Sequence, residues 1–151
     1  AEKDSILTNR YIEKYKSLIK GYFSSEKDIT NRMAQMYSEI GMIDKAEEYY
    51  RKAISLDPDN PALLHGFAYF LRENNRNPDD FISIINKALS LAPNKYEYYN
   101  CLDTKGYGLF KFGKPKEALK ILQKTWDEAP FKVYSIKSHL EEVKKAVADM
   151  K

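Results

Sequence analysis

Few side chains in this sequence have the types needed for chemistry. Cys101 is the single cysteine, and His65 and His139 are the two histidines. A lone thiol with no histidine at a motif spacing reads as an inert helical residue, not as a nucleophile. Two isolated histidines fall short of the three or four converging ligands that a metal site needs, so neither a metal nor a cofactor is expected. The adjacent carboxylates Glu47-Glu48, Asp79-Asp80 and Glu141-Glu142 are of the type that acid and base pairs use. Neighbouring residues on a helix point in different directions, which makes solvated faces of them instead. The six glycines form no phosphate-cradling loop. No catalytic residue is assigned, and the chain is not expected to be an enzyme.

A run of lysines has more to offer. Lys105, Lys111, Lys114, Lys116, Lys120 and Lys124 stand close to Tyr107 and Phe110, and such a row could hold phosphates while the rings stack bases. Glu117, Asp127 and Glu128 interrupt it, and a net charge of +3 is far below the footprint of a nucleic-acid module. Residues 105–151 still carry 11 lysines against 6 acidic residues, so the C-terminal third is basic. A solvated face is the first reading and an acidic protein partner the second. An RNA-binding helical-repeat module through this lysine-rich stretch is kept as an alternative function, although nucleic acid is not the expected partner.

The elements that must position these residues are legible from prolines. Pro58, Pro93 and Pro130 each close a helical stretch, at spacings of 35 and 37 residues. Ahead of the first stand Met33, Ala34, Tyr37, Gly41, Ala46, Tyr50 and Ala53; ahead of the second, Phe67, Ala68, Leu71, Phe81, Ile85 and Ala88; ahead of the third, Gly106, Leu109, Gly113, Ala118 and Leu122. Small residues let two helix backbones approach, and large ones fill the space between them. Asp44 followed by Glu47 reads as a capping box. Asn60-Pro61, Asn77-Pro78 and Lys114-Pro115 place proline where a first helical residue lacks no needed donor. Gly41 and Gly113 suit the left-handed residue that ends a helix.

Four irregularities mark the second and third units. One extra residue falls in the polar turn from Glu73 to Pro78, where it can be absorbed. Phe81 takes a position that is small in Ala46 and Ala118, so this pair should cross differently. A surplus of three residues between Asn94 and Asn100 predicts an additional helical turn. Lys105 stands where Met33 and Phe67 are apolar, so either it snorkels or its helix is rotated.

Helices flank the three pairs. Val133, Ile136, Leu140, Val143, Val147 and Met150 step by three and four, giving a one-sided helix that would seal the end of a stack. Leu7, Tyr11, Tyr15, Leu18 and Tyr22 do the same at the front, with Ile12 and Ile19 alongside. Extending the register backwards puts Leu18 and Gly21 at the large and small positions of a second helix, so the chain is expected to continue a longer array or follow another domain. The 151 residues, 43% hydrophobic and 31% charged, suit one continuous globular domain. No apolar run approaches the roughly 20 residues that span a bilayer, and no segment has a signal peptide's apolar core. A soluble chain is expected, cytoplasmic or periplasmic, with the compartment unassigned.

This recurrence resembles the tetratricopeptide repeat, whose pattern runs W-x2-L-G-x2-Y, A-x3-F and P at a period near 34. Thr30 to Pro58 is the nearest match, with Thr30 where the family has a large residue. The resemblance implies an all-α, right-handed superhelical α-solenoid of antiparallel helix pairs. Residues 1–24 would be a partial repeat or cap, 27–60, 61–95 and 96–130 the three repeats, and 131–151 a capping helix. Neighbouring pairs would share a continuous core.

In that family the first helix of each pair lines a concave groove. Carried over, the groove positions give Asn31 and Gln35 from the first unit, His65, Tyr69 and Arg72 from the second, and Asp103, Tyr107 and Lys111 from the third. Such a mixed polar and aromatic surface suits a peptide. The expected function is a non-catalytic protein- or peptide-binding scaffold within a larger protein or complex, with an accessory domain of an upstream enzyme as a further alternative. Family members that hold chaperone tails use lysines, asparagines and an arginine as a carboxylate clamp. Here those positions are Asn31, Gln35, Gly66, Asn100 and Thr104, so no clamp is expected.

Overall fold

Left-handed turn residues and prolines divide the chain into helices with short connections. The computed structural model describes residues 2–150, with side chains from Ile6 onward. Its helices are α1 (Glu2–Tyr22), α2 (Glu26–Glu39), α3 (Ile43–Leu56), α4 (Pro61–Glu73), α5 (Pro78–Ser90), α6 (Lys95–Lys111), α7 (Pro115–Glu128) and α8 (Tyr134–Ala148). All regular structure among the described residues is helical. The chain forms two compact units, residues 1–58 with α1 to α3 and residues 59–151 with α4 to α8.

One turn device ends the first helix of each pair. Gly41 and Gly113 adopt φ of 76° and 79°. The amide after each donates back to a carbonyl five residues earlier, Met42 to Tyr37 and Lys114 to Leu109, both at 2.8 Å. Asn75 does this work in the middle pair, with φ of 52° and a 2.9 Å bond from the Arg76 amide to Leu71. Asparagine is the side chain that tolerates this conformation best after glycine. Asn77 is also left-handed, at φ 44°, and so takes up the extra residue before Pro78.

Helix starts follow the prolines, with one correction. Asn60 accepts from the Ala62 and Leu63 amides and Asn94 from Glu97, each satisfying donors that a first turn leaves open. Asp44 and Glu47 do not form the expected capping box. The glycine turn returns the chain so quickly that α3 opens at Ile43 with Met42 as its N-cap and no side-chain cap bond. Asp44 then stands inside the first turn, and Glu47 accepts from Arg51 at 2.7 Å. The three-residue surplus lengthens α6, which runs 17 residues against 13 in α4.

In the first unit α2 buries Met33, Ala34 and Tyr37 and α3 buries Ala46, Tyr50 and Ala53. α1 contributes a different edge from the one its stripe suggested. Ile12 and Ile19 are buried, whereas Leu7, Tyr11, Leu18 and Tyr22 are exposed, and Gly21 faces open space. Two isoleucines seven residues apart give one narrow contact line.

The second unit carries the larger core. Phe67, Ala68 and Leu71 of α4, Phe81, Ile85 and Ala88 of α5, and Ala118 and Leu122 of α7 are all buried. α8 adds Ile136, Leu140 and Val143, while Val147 is half-buried and Met150 is exposed beyond the helix. Thr125 occupies the slot that Ala53 and Ala88 hold, and it is fully buried. Its hydroxyl donates to the Ile121 carbonyl at 2.8 Å, so no polar group is stranded.

Phe81 explains how a bulky residue fits a small-residue slot. The next first helix makes room for its ring with Gly108, where an added Cβ would lie 2.1 Å from the Phe81 Cζ atom. Phe112 closes over the same ring at 5.2 Å between centroids. Gly106 gives a similar clearance to Leu122, at 2.8 Å. Lys105, beside it, is half-buried.

Candidate functional site

Three helices of the second unit turn polar faces to one groove. His65, Tyr69 and Arg72 lie at i, i+4 and i+7 on α4, which puts them on one side of the helix. Ser135, His139 and Glu142 repeat that spacing on α8. The additional turn of α6 supplies Asn100, and below it Asp103, Thr104 and Tyr107. A cavity of about 280 Å³ opens among them, lined by His65, Tyr69, Arg72, Asn100, Asp103, Thr104, Ser135 and His139.

Hydrogen bonds and stacked rings hold this lining in place. His65 Nε2 lies 2.9 Å from the Thr104 hydroxyl. His139 Nδ1 donates to both oxygens of Asp103, at 2.9 and 3.0 Å. The His139 ring stacks on Tyr107, with centroids 3.8 Å apart and planes 15° from parallel. The Tyr107 hydroxyl donates to Glu142 at 2.8 Å. Burial, and then that bond to a carboxylate, pushes the Tyr107 phenol up to about 12. It therefore remains a donor throughout the physiological range.

Arg72 is the keystone of the α4 side. It is 4% exposed, its guanidinium lies 4.4 Å from the Tyr69 ring and 5.2 Å from that of Tyr107, and it pairs with Glu73 at 2.8 Å. Lys111 sets its ammonium 5.3 Å from the Tyr107 ring. The groove thus has aromatic walls, several uncharged donors and acceptors, the Arg72 guanidinium and the Asp103 carboxylate.

Burial lowers the His65 pKa below the usual histidine value, against a smaller upward pull from Glu97. The unfolded chain then binds more protons than the folded one as pH drops through about 6.5, and stability should fall with it. Melting temperatures between pH 8 and 5 should show this loss. His65→Gln should flatten the His65 share of the slope.

The residues named from the sequence divide between the units. His65, Tyr69, Arg72 and Asp103 line one cavity, and Tyr107 and Lys111 join it through ring contacts. Asn31 and Gln35 lie half-buried on α2 in the first unit, where Gln35 accepts from Arg32 at 3.1 Å. Ser135, His139 and Glu142 were missed because the last helix was read only for its apolar stripe. Their i, i+4, i+7 spacing, matching that of His65, Tyr69 and Arg72, was the available signal. His139 is not the isolated histidine that its sequence position suggested. Cys101 is buried and its thiol is pushed up to about 12 by burial, in keeping with an inert residue. The lysine row is split, with Lys105 and Lys111 on α6 and Lys116, Lys120 and Lys124 on α7.

Comparison with known proteins agrees with this helix-pair geometry. Two family models, both described as tetratricopeptide repeat, match residues 28–60 and 49–80. Residues 28–80 carry tetratricopeptide repeats. The matched segment takes in α2 to α4 and the turn after it. The tetratricopeptide fold extends further in comparison with solved structures. The first TPR of Spaghetti (RPAP3) bound to the HSP90 peptide SRMEEVD is 22% identical, covers 83% of this chain and 96% of its own, and has a TM-score of 0.67. The Sgt2 TPR domain from Aspergillus fumigatus is 20% identical over 84% of this chain and 82% of its own, with a TM-score of 0.70. The Hsp90 co-chaperone Cns1 from Saccharomyces cerevisiae is 15% identical over 82% of this chain and 40% of its own, with a TM-score of 0.66. No curated protein matches the chain.

Proposed function

We propose that this chain is a non-catalytic protein-binding scaffold that grips an extended peptide in the α4–α6–α8 groove of its second unit. The observation that carries this reading is the cavity of about 280 Å³ with an exposed aromatic, Tyr69, beside the uncharged polar groups of Asn100, Thr104 and Ser135. Aromatic faces provide contact area at low entropic cost, and amide or hydroxyl groups pair with a peptide backbone. The tetratricopeptide fold supports it, since one structure of similar fold holds a bound peptide.

The ligand differs from an acidic tail. Gly66, Asn100 and Thr104 bring no cation to the positions where the family clamps a carboxylate, the guanidinium of Arg72 is already paired with Glu73, and Asp103 turns a carboxylate into this groove. Repulsion between like charges would weaken an acidic terminus there. A peptide with an aromatic or basic side chain fits better, the base towards Asp103 and the aromatic group on Tyr69.

Selection from a random peptide library, followed by titration of the winners, tests the proposal. Tyr69→Ala and Asn100→Ala should each weaken selected peptides roughly tenfold or more; Asn100→Ala should leave the melting temperature within the scatter of the parent, whereas Tyr69→Ala, which also removes a ring beside Arg72, should lower it while helical content is retained. Binding that survives both substitutions would place the ligand elsewhere. The peptide SRMEEVD should bind more weakly than the selected sequences.

A further inference from the structure

We propose a second binding site in the first unit, for a small amphiphilic anion with a short apolar body and a carboxylate or phosphate head. The starting point is a register position. Four residues before Ala34, Ala68 and Gly106 stand Thr30, Leu64 and Leu102. Leu64 is 2% exposed and fills its place in the second unit's core. Thr30 has a shorter side chain, and beside it a cavity of about 400 Å³ opens between α1, α2 and α3. That volume lies within the range of roughly 300–1,000 Å³ typical of small-molecule sites.

The two ends of the cavity differ chemically. Ile29, Met33 and the Tyr49 ring give it an apolar floor beside Thr30. Lys16 and Lys20 from α1 and Lys52 from α3 bring three ammonium groups to its rim, against the carboxylate of Glu26. Glu26 pairs with Lys52 at 3.3 Å and Glu13 lies 4.0 Å from Lys16, both exposed pairs that solvent screens, so three cations face two carboxylates. The surplus of positive charge favours an anionic head, while an apolar floor gains most when hydrocarbon replaces water. An apolar ligand alone would leave the excess positive charge unanswered, and a bare phosphate would leave the floor wet. A molecule with both ends satisfies both.

Titration of the full chain with octanoate, octyl phosphate and neutral octanol, followed by calorimetry and by shifts of the Met33 methyl signal, tests the assignment. At least one of the two anions should bind, with octanol weaker by roughly tenfold or more, and the preferred anion identifies the head group. Thr30→Trp should abolish binding with helical content retained and melting temperature equal to or above the parent's. If the indole prevents folding, Thr30→Leu, which copies Leu64, should weaken binding in the same direction. Lys20→Gln with Lys52→Gln should cost several-fold in affinity for the anions and leave octanol unchanged. Absence of binding by both anions at millimolar concentration, equal binding of octanol, or undiminished binding by a folded Thr30 variant would overturn the site. The peptide groove of the second unit is untouched by these variants, so its reading stands or falls separately.

Discussion

Gly108→Ala is expected to destabilise the second unit by about 1–3 kcal/mol, the usual range for overpacking a filled core. In an open helix the same change stabilises by about 1 kcal/mol, because alanine gives up less backbone entropy than glycine. Here the new methyl would lie 2.1 Å from the Phe81 Cζ atom, with two further ring carbons within 2.9 Å. Phe81 is fully buried and Phe112 covers it, so the ring has no open side to move towards. Sterics therefore outweigh propensity. The melting temperature should drop by roughly 4–8 °C per kcal/mol for a unit of this size. Gly66→Ala is the control, since an added Cβ there meets nothing within 4 Å, and it should be neutral or stabilising. Phe81→Leu in the Gly108→Ala background should recover part of the loss, whereas Phe81→Ala alone should cost about 3–5 kcal/mol. Additive losses in that double substitution would show that the two residues do not share the space.

Arg72→Ala carries the second large effect, about 1–3 kcal/mol of stability, by analogy with other losses of a buried, partnered side chain. Its ion pair with Glu73 is the smaller part of that sum. Glu73 is 44% exposed, and solvent screens such a pair to between roughly 0 and 1 kcal/mol. The larger part is the buried stem together with a guanidinium set between the rings of Tyr69 and Tyr107. Arg72→Met, which keeps the stem and loses the charge, should therefore retain more than half of what Arg72→Ala gives up. A denaturant series on the two variants decides it. Equal losses would assign the effect to the charge and return Glu73 to the account. In peptide titrations both variants should weaken the selected ligands, since each lets Tyr69 move.

The helix pairs were readable because their signals are local. Proline at a helix start, a left-handed glycine or asparagine at its end, and small or large residues at fixed offsets each act within one turn or one hairpin. Asn75 shows the limit of reading types alone, since it does the work of Gly41 and Gly113 without being glycine. Misreadings fell where the periodicity had two solutions. On α1 both Leu7-Tyr11-Leu18-Tyr22 and Ile12-Ile19 follow the helical repeat, and packing against α2 chose the second. The sequence alone determined the all-helical class, the order of pairs and most of the core of each pair, because burial periodicity and turn chemistry are written residue by residue. Only the tertiary structure decided that His139 of α8 meets Asp103 and Tyr107 of α6, that Gly108 clears space for Phe81, and that Thr30 leaves a cavity beneath three lysines. Those contacts join residues more than 20 positions apart or depend on space left unfilled. Neither long-range proximity nor a void has a signature in the spacing of residues along one helix.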